Sequence, residues 1–391
     1  MSQLQINHSN DLKRLRDEGY QIEIYGGQIL VHHIPYVTSQ KQIKYGVLVS
    51  DFNSSGNDVL PPRDHVMKFS GEFPCNKDGS KITALEHGQS SNTLGNGIIL
   101  NFSFSNKPEG GFKNFYDKFL SYDRILSSPA KSLDESVTST PFKPIKTFED
   151  ESVFNYYDTN SSRANIEFIN EKLVNQKIAI VGLGGTGSYI LDLVAKTCVK
   201  EIHLFDGDVL LNHNAFRSPG AVSIETLERK PFKVNYYADL YGHLRKGIVA
   251  SPIFIDELNI DRLRGYDYVF LCIDDNLIRG MCATFLAKHN QSFIDVGLGV
   301  NIIDGSLIGS LRVTSSSPRY DNRPLSLIPS SEQGNNEYSS NIQIAELNAL
   351  NATLAVLKWK KLSGFYQDLL DGYNLSYSVN DSNLVEDEDA A

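Results

Sequence analysis

The run KIAIVGLGGTGSYILDLVAKT, Lys177 to Thr197, constrains this chain more than any other stretch. An apolar strand passes straight into a glycine loop, and the loop opens a helix. Glycine there lets the backbone come close to a phosphate, and the helix start turns free N–H groups and a positive dipole end toward it. The same alternation then continues through strand EIHLFD, helix KPFKVNYYADLYGHL, strands IFIDE and YVFLCI, helix IRGMCATFLAKH and strand SFIDVG. A helix RANIEFINEKLVNQ leads in, and a long helix, Ile342–Gly364, packs near the end. Apolar strands alternating with amphipathic helices predict an α/β fold, a doubly wound and mostly parallel sheet.

Residues 1–126 read as a smaller N-terminal α+β domain. A short helix capped by Ser9 or Asn10 precedes QIEIYGGQILVHHI, a hairpin turning at Gly26-Gly27. The runs KYGVLVSDF and GNGIILNFSF supply further strands, and Phe112–Leu126 is helical. Residues 127–160 are rich in Ser, Thr, Pro and charge, which predicts a linker or an arm laid on a partner. The α/β domain then spans 161–375, and 376–391 form an acidic, frayed tail.

Gly182, Gly184, Gly185 and Gly187 form the loop, and Asp206 ends the next strand, where a carboxylate commonly holds ribose hydroxyls. These features suit NAD, FAD or ATP equally. A Walker A loop is excluded, because Ser188 and Tyr189 stand where Lys and Ser/Thr are required. The residues at the following strand ends discriminate. DGDVLLNHNAFR contains Asp208, Asn214 and Arg217; KPFKV contains Lys230 and Lys233; DDNLIR contains Asp274, Asp275 and Arg279. Hydride transfer needs no cluster of cations beside the phosphates. Cleavage of ATP does, since charge builds on the departing pyrophosphate.

In order, GLGGTGS, FDGDVLLNHNAFR, a Lys-Val step and CIDDNLIR resemble the adenylation domain of ThiF, MoeB and the ubiquitin-activating enzymes, over about 130 residues. The resemblance implies binding of Mg-ATP and adenylation of the C-terminal carboxylate of a ubiquitin-like protein ending in Gly. It implies that the four glycines form the nucleotide loop and that Asp206 holds the ribose. It further implies that Asn214, Arg217 and Lys233 contact phosphate, with Lys230 the alternative, and that Asp274 positions Mg²⁺. Asp275 stands where the family usually has Asn. The resemblance offers Arg163 as the arginine that many members lend across a dimer, a homodimer here; read from the residues alone it is a solvated helix side chain. Asp208 and Arg279 read equally well as an ion pair with each other or as direct members of the site. Bacterial relatives with an unrelated N-terminal domain occur beside conjugating-enzyme-like proteins, which makes such a protein a second expected partner. The rival readings are adenylation of a small molecule or RNA base, an NAD-dependent oxidoreductase, and a scaffold without turnover.

Ubiquitin-activating enzymes also carry a nucleophilic cysteine after the last core strands. Here no cysteine follows Cys282, and the loop Thr314–Ser340 contains none. Cys198, Cys272 and Cys282 fall in helices or strands and read as core residues. Cys75 lies in the polar loop GEFPCNKDG and is the candidate carrier, or a plain loop cysteine. A site of His65, Cys75 and His87 is one ligand short, so no structural zinc is expected.

The net charge of −10 disfavours nonspecific nucleic-acid binding. The first twenty residues lack the apolar core of a signal peptide and no run is long enough to span a bilayer, so a cytoplasmic location and no membrane partner are expected.

Overall fold

The computed structural model describes residues 2–7, 9–55, 58–95, 97–145, 152–164, 166–318, 323–331 and 342–387. The chain divides into two compact units. One comprises Met1–Ile145 with Thr159–Ala164, and the other Lys146–Asp158 with Asn165–Ala391.

The first unit is a six-stranded antiparallel sheet. Its hairpin pairs Gln21–Tyr25 with Gln28–Val37 across Gly26 and Gly27, both at positive φ, as the turn requires. Strands Val66–Ser70 and Glu86–Gly95 also join the sheet. Sequence reading passed over both because neither alternates cleanly over a long run. The helix Phe115–Leu133 packs its Phe115, Phe119, Tyr122 and Leu126 face into the core. It starts on Asn114, whose Oδ1 accepts the Asp117 N–H at 2.7 Å.

The expected boundary at Leu126 is therefore too early. The helix runs on through Pro129 to Leu133. Beyond it, Val137 and Ser139 are buried, and the Ser139 hydroxyl donates to Asp123, which also accepts from Tyr20 at 2.7 Å. Residues 159–164 form a helix of this same unit. Its Ser162 accepts from buried Arg16 at 2.8 Å and donates to Asp17 at 2.8 Å. A composition rich in Ser and Thr read as a linker; buried polar partners make much of it packed structure. Of the remainder, 146–151 lie outside the described residues, and Phe154, in the second unit, forms a β-bridge with Arg245.

The second unit is the expected doubly wound sheet. From one edge its strands are Ile248–Ser251, Glu201–Phe205, Lys177–Val181, Tyr268–Leu271, Ser292–Ile303, Ser306–Ser316, Asn374–Ser378 and Asn383–Asp387. The first five run parallel and the last three antiparallel. Helices Gly185–Ala195 and Ala345–Leu362 pack together on one face. Their core includes Ile190, Leu191, Val194, Val356 and Trp359, the only tryptophan. Helix Asn276–Lys288 covers the other face through Cys282, Ala283 and Leu286.

Three expectations change here. The outermost parallel strand is IVAS, not IFIDE, because Pro252 cannot donate to the ladder and ends it. The helix expected over 163–176 is broken into Thr159–Ala164 and Glu167–Asn170 among the described residues, in a stretch dense in Asn, whose side chains compete with helical hydrogen bonds. The acidic tail is partly ordered as well. Residues 374–378 and 383–387 extend the sheet, and Glu386 pairs with Lys358 and Lys361. Residues 388–391 lie outside the described residues.

Candidate active site

Strand order reverses beside Lys177–Val181, whose neighbours are Glu201–Phe205 on one side and Tyr268–Leu271 on the other. Ligands of open α/β sheets sit outside the strand ends at such a switch point. A cavity of about 560 Å³ opens there.

Each glycine of the loop has a different physical reason. Gly182 has φ +88°, and a β-carbon on it would lie 2.5 Å from the Cys272 carbonyl oxygen. A β-carbon on Gly187 would strike the carbonyl oxygen of Gly182, and one on Gly185 the carboxamide of Asn348. Gly184 alone has open space where its β-carbon would go. Gly182 and Gly187 thus serve the strand-to-helix turn, Gly185 makes room for Asn348, and Gly184 leaves room for a ligand. Gly182, Gly184 and Gly185 line the cavity; Gly187 does not.

Asp206 is buried and tied to the loop. One oxygen accepts the Leu183 N–H at 2.6 Å and the other accepts the Asp208 N–H at 2.8 Å. Lys233, buried at the first turn of helix Lys233–Gly242, places Nζ 2.7 Å from Asp208 and 3.6 Å from Asp206. Lys230 stands apart: it caps the preceding helix in the left-handed region at φ +46°, and its side chain is exposed. The cavity therefore has Lys233 in its wall and not Lys230.

Arg217 lines the cavity with a buried Nε that has no hydrogen-bond partner. Asn214, expected beside it, is spent on the backbone. Its Oδ1 accepts the Leu211 N–H at 2.9 Å, capping a four-residue helix, and it does not line the cavity.

The paired aspartates divide their work. Asp275 is the N-cap of helix Asn276–Lys288, accepting from Leu277 at 2.8 Å and Ile278 at 3.1 Å. Asp274 is exposed on the cavity wall. Arg279 grips the Ile273 carbonyl from Nε at 2.9 Å and lies 3.4 Å from fully buried Asp295. Burial raises the Asp295 carboxyl above its ordinary range, opposed by Arg312 and Arg279. Asp208 and Arg279 thus pair with other residues and not with each other: Asp208 meets Lys233 and Arg279 meets Asp295, while both line the cavity.

Among the described residues, no group of three His, Cys, Asp or Glu side chains forms a metal cage. Mg²⁺ needs none, since it keeps waters and takes one or two carboxylates together with phosphate oxygens. An exposed Asp274 on the wall of that cavity fits that donor set.

Two site residues escaped sequence reading. Asn348 and Asn351, on helix Ala345–Leu362, are buried and line the cavity. Their i, i+3 spacing put them on one face, but nothing in the sequence marked that face as the ligand's. Phe254, 63% exposed, stands over Gly207 at the mouth.

Cys75 is not in an open loop. It is buried, bridged to Val37 and Lys81, and its thiol donates to the Phe73 carbonyl at 3.4 Å. Burial pushes that thiol up, pushes Cys198 up to about 11 and Cys282 to about 12, and raises Cys272 too. The side chain of His87 lies outside the described residues. Arg163 is exposed at the end of its helix in the first unit. No helix among the described residues is long and apolar enough to cross a membrane.

Comparison with known proteins matches residues 162–302 to the ThiF family, and residues 10–159 to a domain of unknown function, DUF6791. The adenylyltransferase and sulfurtransferase UBA4 of Saccharomyces cerevisiae is 27% identical over 147 residues, 36% of this chain and 30% of UBA4. This chain therefore spans under a third of the length of that curated relative. Among solved structures, E. coli MccB with ATP has a TM-score of 0.44 at 17% identity, covering 59% of this chain and 69% of MccB. PaaA has a TM-score of 0.45 at 17% identity, covering 70% of this chain and 85% of PaaA.

Proposed function

Since residues 162–302 are a ThiF-family domain, we propose that this chain uses ATP to adenylate the C-terminal carboxylate of a ubiquitin-like protein ending in Gly, releasing pyrophosphate. The observation that carries the reading is the buried, unmet Nε donor of Arg217 in the same cavity as Lys233 and the open flank of Gly184. A buried donor without an acceptor is costly, and a phosphate oxygen supplies the acceptor.

The chemistry asks for positioning and charge rather than acid–base work. A carboxylate is already a nucleophile at neutral pH. It attacks the α-phosphorus in line, the bond to the bridging oxygen breaks, and the electron pair leaves with pyrophosphate. Arg217 and Lys233 meet that growing charge from fixed positions, so no reorganisation is needed as it develops. Asp206, held by two backbone N–H groups, orients the ribose and the glycine loop together. Asp274 would hold Mg²⁺, which neutralises phosphate charge when bound.

The reaction stops at the adenylate within this chain. Burial raises all four thiols above their ordinary range, which counts against thioester formation on them, and a conjugating-enzyme-like partner takes the acyl group. The first unit recruits the ubiquitin-like protein or that partner. The chain works as a homodimer in which Arg163 reaches the neighbouring site.

Pyrophosphate exchange into ATP, dependent on the ubiquitin-like protein, tests the proposal. Asp274→Ala abolishes exchange while the fold persists; exchange at the wild-type rate would sink the assignment. Mixing Arg163→Ala with Asp274→Ala chains restores exchange only if the arginine acts across a dimer.

A further inference from the structure

Asn351 sits at the wall of the cavity with no exposed surface, and its Oδ1 has no hydrogen-bond partner. Its orientation is fixed by chemistry. Nδ2 donates to the Gly297 carbonyl at 3.0 Å, and flipping the amide would set two carbonyl oxygens against each other. Oδ1 is therefore a buried acceptor on the side of the amide away from the Gly297 carbonyl. One helical turn earlier, Asn348 is spent on the protein: its Oδ1 accepts the Thr186 hydroxyl at 3.0 Å and its Nδ2 donates to the Arg217 carbonyl at 3.3 Å.

Position along the sheet says which part of a ligand meets Asn351. Asp206 and Lys233 stand at and beyond the end of Glu201–Phe205, and the glycine loop follows Lys177–Val181. Asn351 adjoins Ser292–Ile303, three strands along, beside Val296 and Leu298. At the usual strand spacing that is about 14 Å from the ribose anchor. A nucleotide held at Asp206 places its phosphates over the glycine loop and leaves this end for the group joined to the α-phosphate. Val296 and Leu298 line the cavity here with Asn351, and Gln343 and Asn348 add only uncharged polar groups from the same end of the chain, so the partner that suits the amide oxygen is a neutral donor.

We propose that Asn351 reads the last peptide N–H of the acyl substrate, so that the site takes a peptidyl glycine and discriminates against an acid lacking that N–H. The inference rests on the adenylation reading and adds the substrate feature it recognises.

Three probes test it by calorimetry on the full chain: 5′-O-sulfamoyladenosine, the same compound acylated with N-acetylglycine, and the same acylated with acetoxyacetic acid. The last two differ only by an ester oxygen in place of the N–H. Wild type should bind the amide about tenfold more tightly than the ester, because the ester leaves a buried acceptor unpaired and sets an oxygen against it. Asn351→Leu should reduce that ratio to about one without weakening sulfamoyladenosine itself. Failure of sulfamoyladenosine to bind wild type would overturn the adenylation reading. Its binding, with amide and ester equally tight, would overturn only the role of Asn351. A loss of sulfamoyladenosine affinity in Asn351→Leu would assign the acceptor to the adenine amino group and overturn it as well.

Discussion

The carboxamide of Asn348 occupies the space that a β-carbon on Gly185 would need. A residue of the long C-terminal helix thus explains a glycine of the nucleotide loop. Gly185→Ala should therefore overpack the core and destabilise the second unit by about 1–3 kcal/mol. Trp359 is the only tryptophan and is buried in that unit, so its fluorescence during denaturant unfolding reports the effect. Adding Asn348→Ala should recover part of the loss. Gly184→Ala, facing open space, should change stability by less than about 0.5 kcal/mol while weakening ATP binding.

The two lysines of KPFKV separate in the same way. Lys233→Met removes a buried cation from the cavity wall and should lower pyrophosphate exchange about 10²–10³-fold. Lys230→Ala removes an exposed side chain outside the cavity and should leave the rate unchanged. Equal losses from both would place the phosphate contact elsewhere.

What the sequence made legible was local. Strand, loop and helix around Gly182–Gly187 follow from apolar periodicity and glycine placement, and Asp206 follows from its place at the next strand end. What it hid depends on contacts distant in the chain. Asn351 is an ordinary polar residue of an amphipathic helix until that helix is laid against Gly297. Cys75 lies in a polar run, yet pairing with Val37 buries it. Residues 374–378 and 383–387 look like tail because strand pairing, not composition, makes them strands. Asn214 lies in the motif, yet its Oδ1 caps a short helix and the residue does not line the cavity.

The buried thiols give a pH signature. Folded-state values above the ordinary thiol range mean that the folded chain keeps protons the unfolded chain gives up. The resulting stability is complete below about pH 8.5, the ordinary cysteine value. It falls as pH rises toward the folded values of Cys198 and Cys282, about 11 and about 12. Trp359 unfolding curves between pH 7 and 10 should show this loss, and Cys282→Ala should reduce it. Iodoacetamide, which needs thiolate, should label Cys75 at pH 8 far more slowly than it labels free cysteine. Rapid labelling of Cys75 in the native chain would reopen its candidacy as a carrier. Cys75→Ser should leave pyrophosphate exchange intact.

Asp295 links stability to the site. Fully buried, it lies 3.4 Å from Arg279 Nε and 2.5 Å from Arg312 Nη2. Arg279 in turn holds the Ile273 carbonyl, the residue immediately before Asp274. Asp295→Ala leaves two guanidinium groups without their shared anion and should cost about 3–5 kcal/mol in the Trp359 unfolding assay. Arg279→Lys is the more telling change. A lysine keeps the charge beside Asp295 but loses the fork that reaches the Ile273 carbonyl from two nitrogens. Exchange should fall and the KM for ATP should rise, while stability drops less than in Asp295→Ala. If Arg279→Lys lost stability as severely as Asp295→Ala yet kept full exchange, Arg279 would be a core ion-pair partner with no part in placing Asp274.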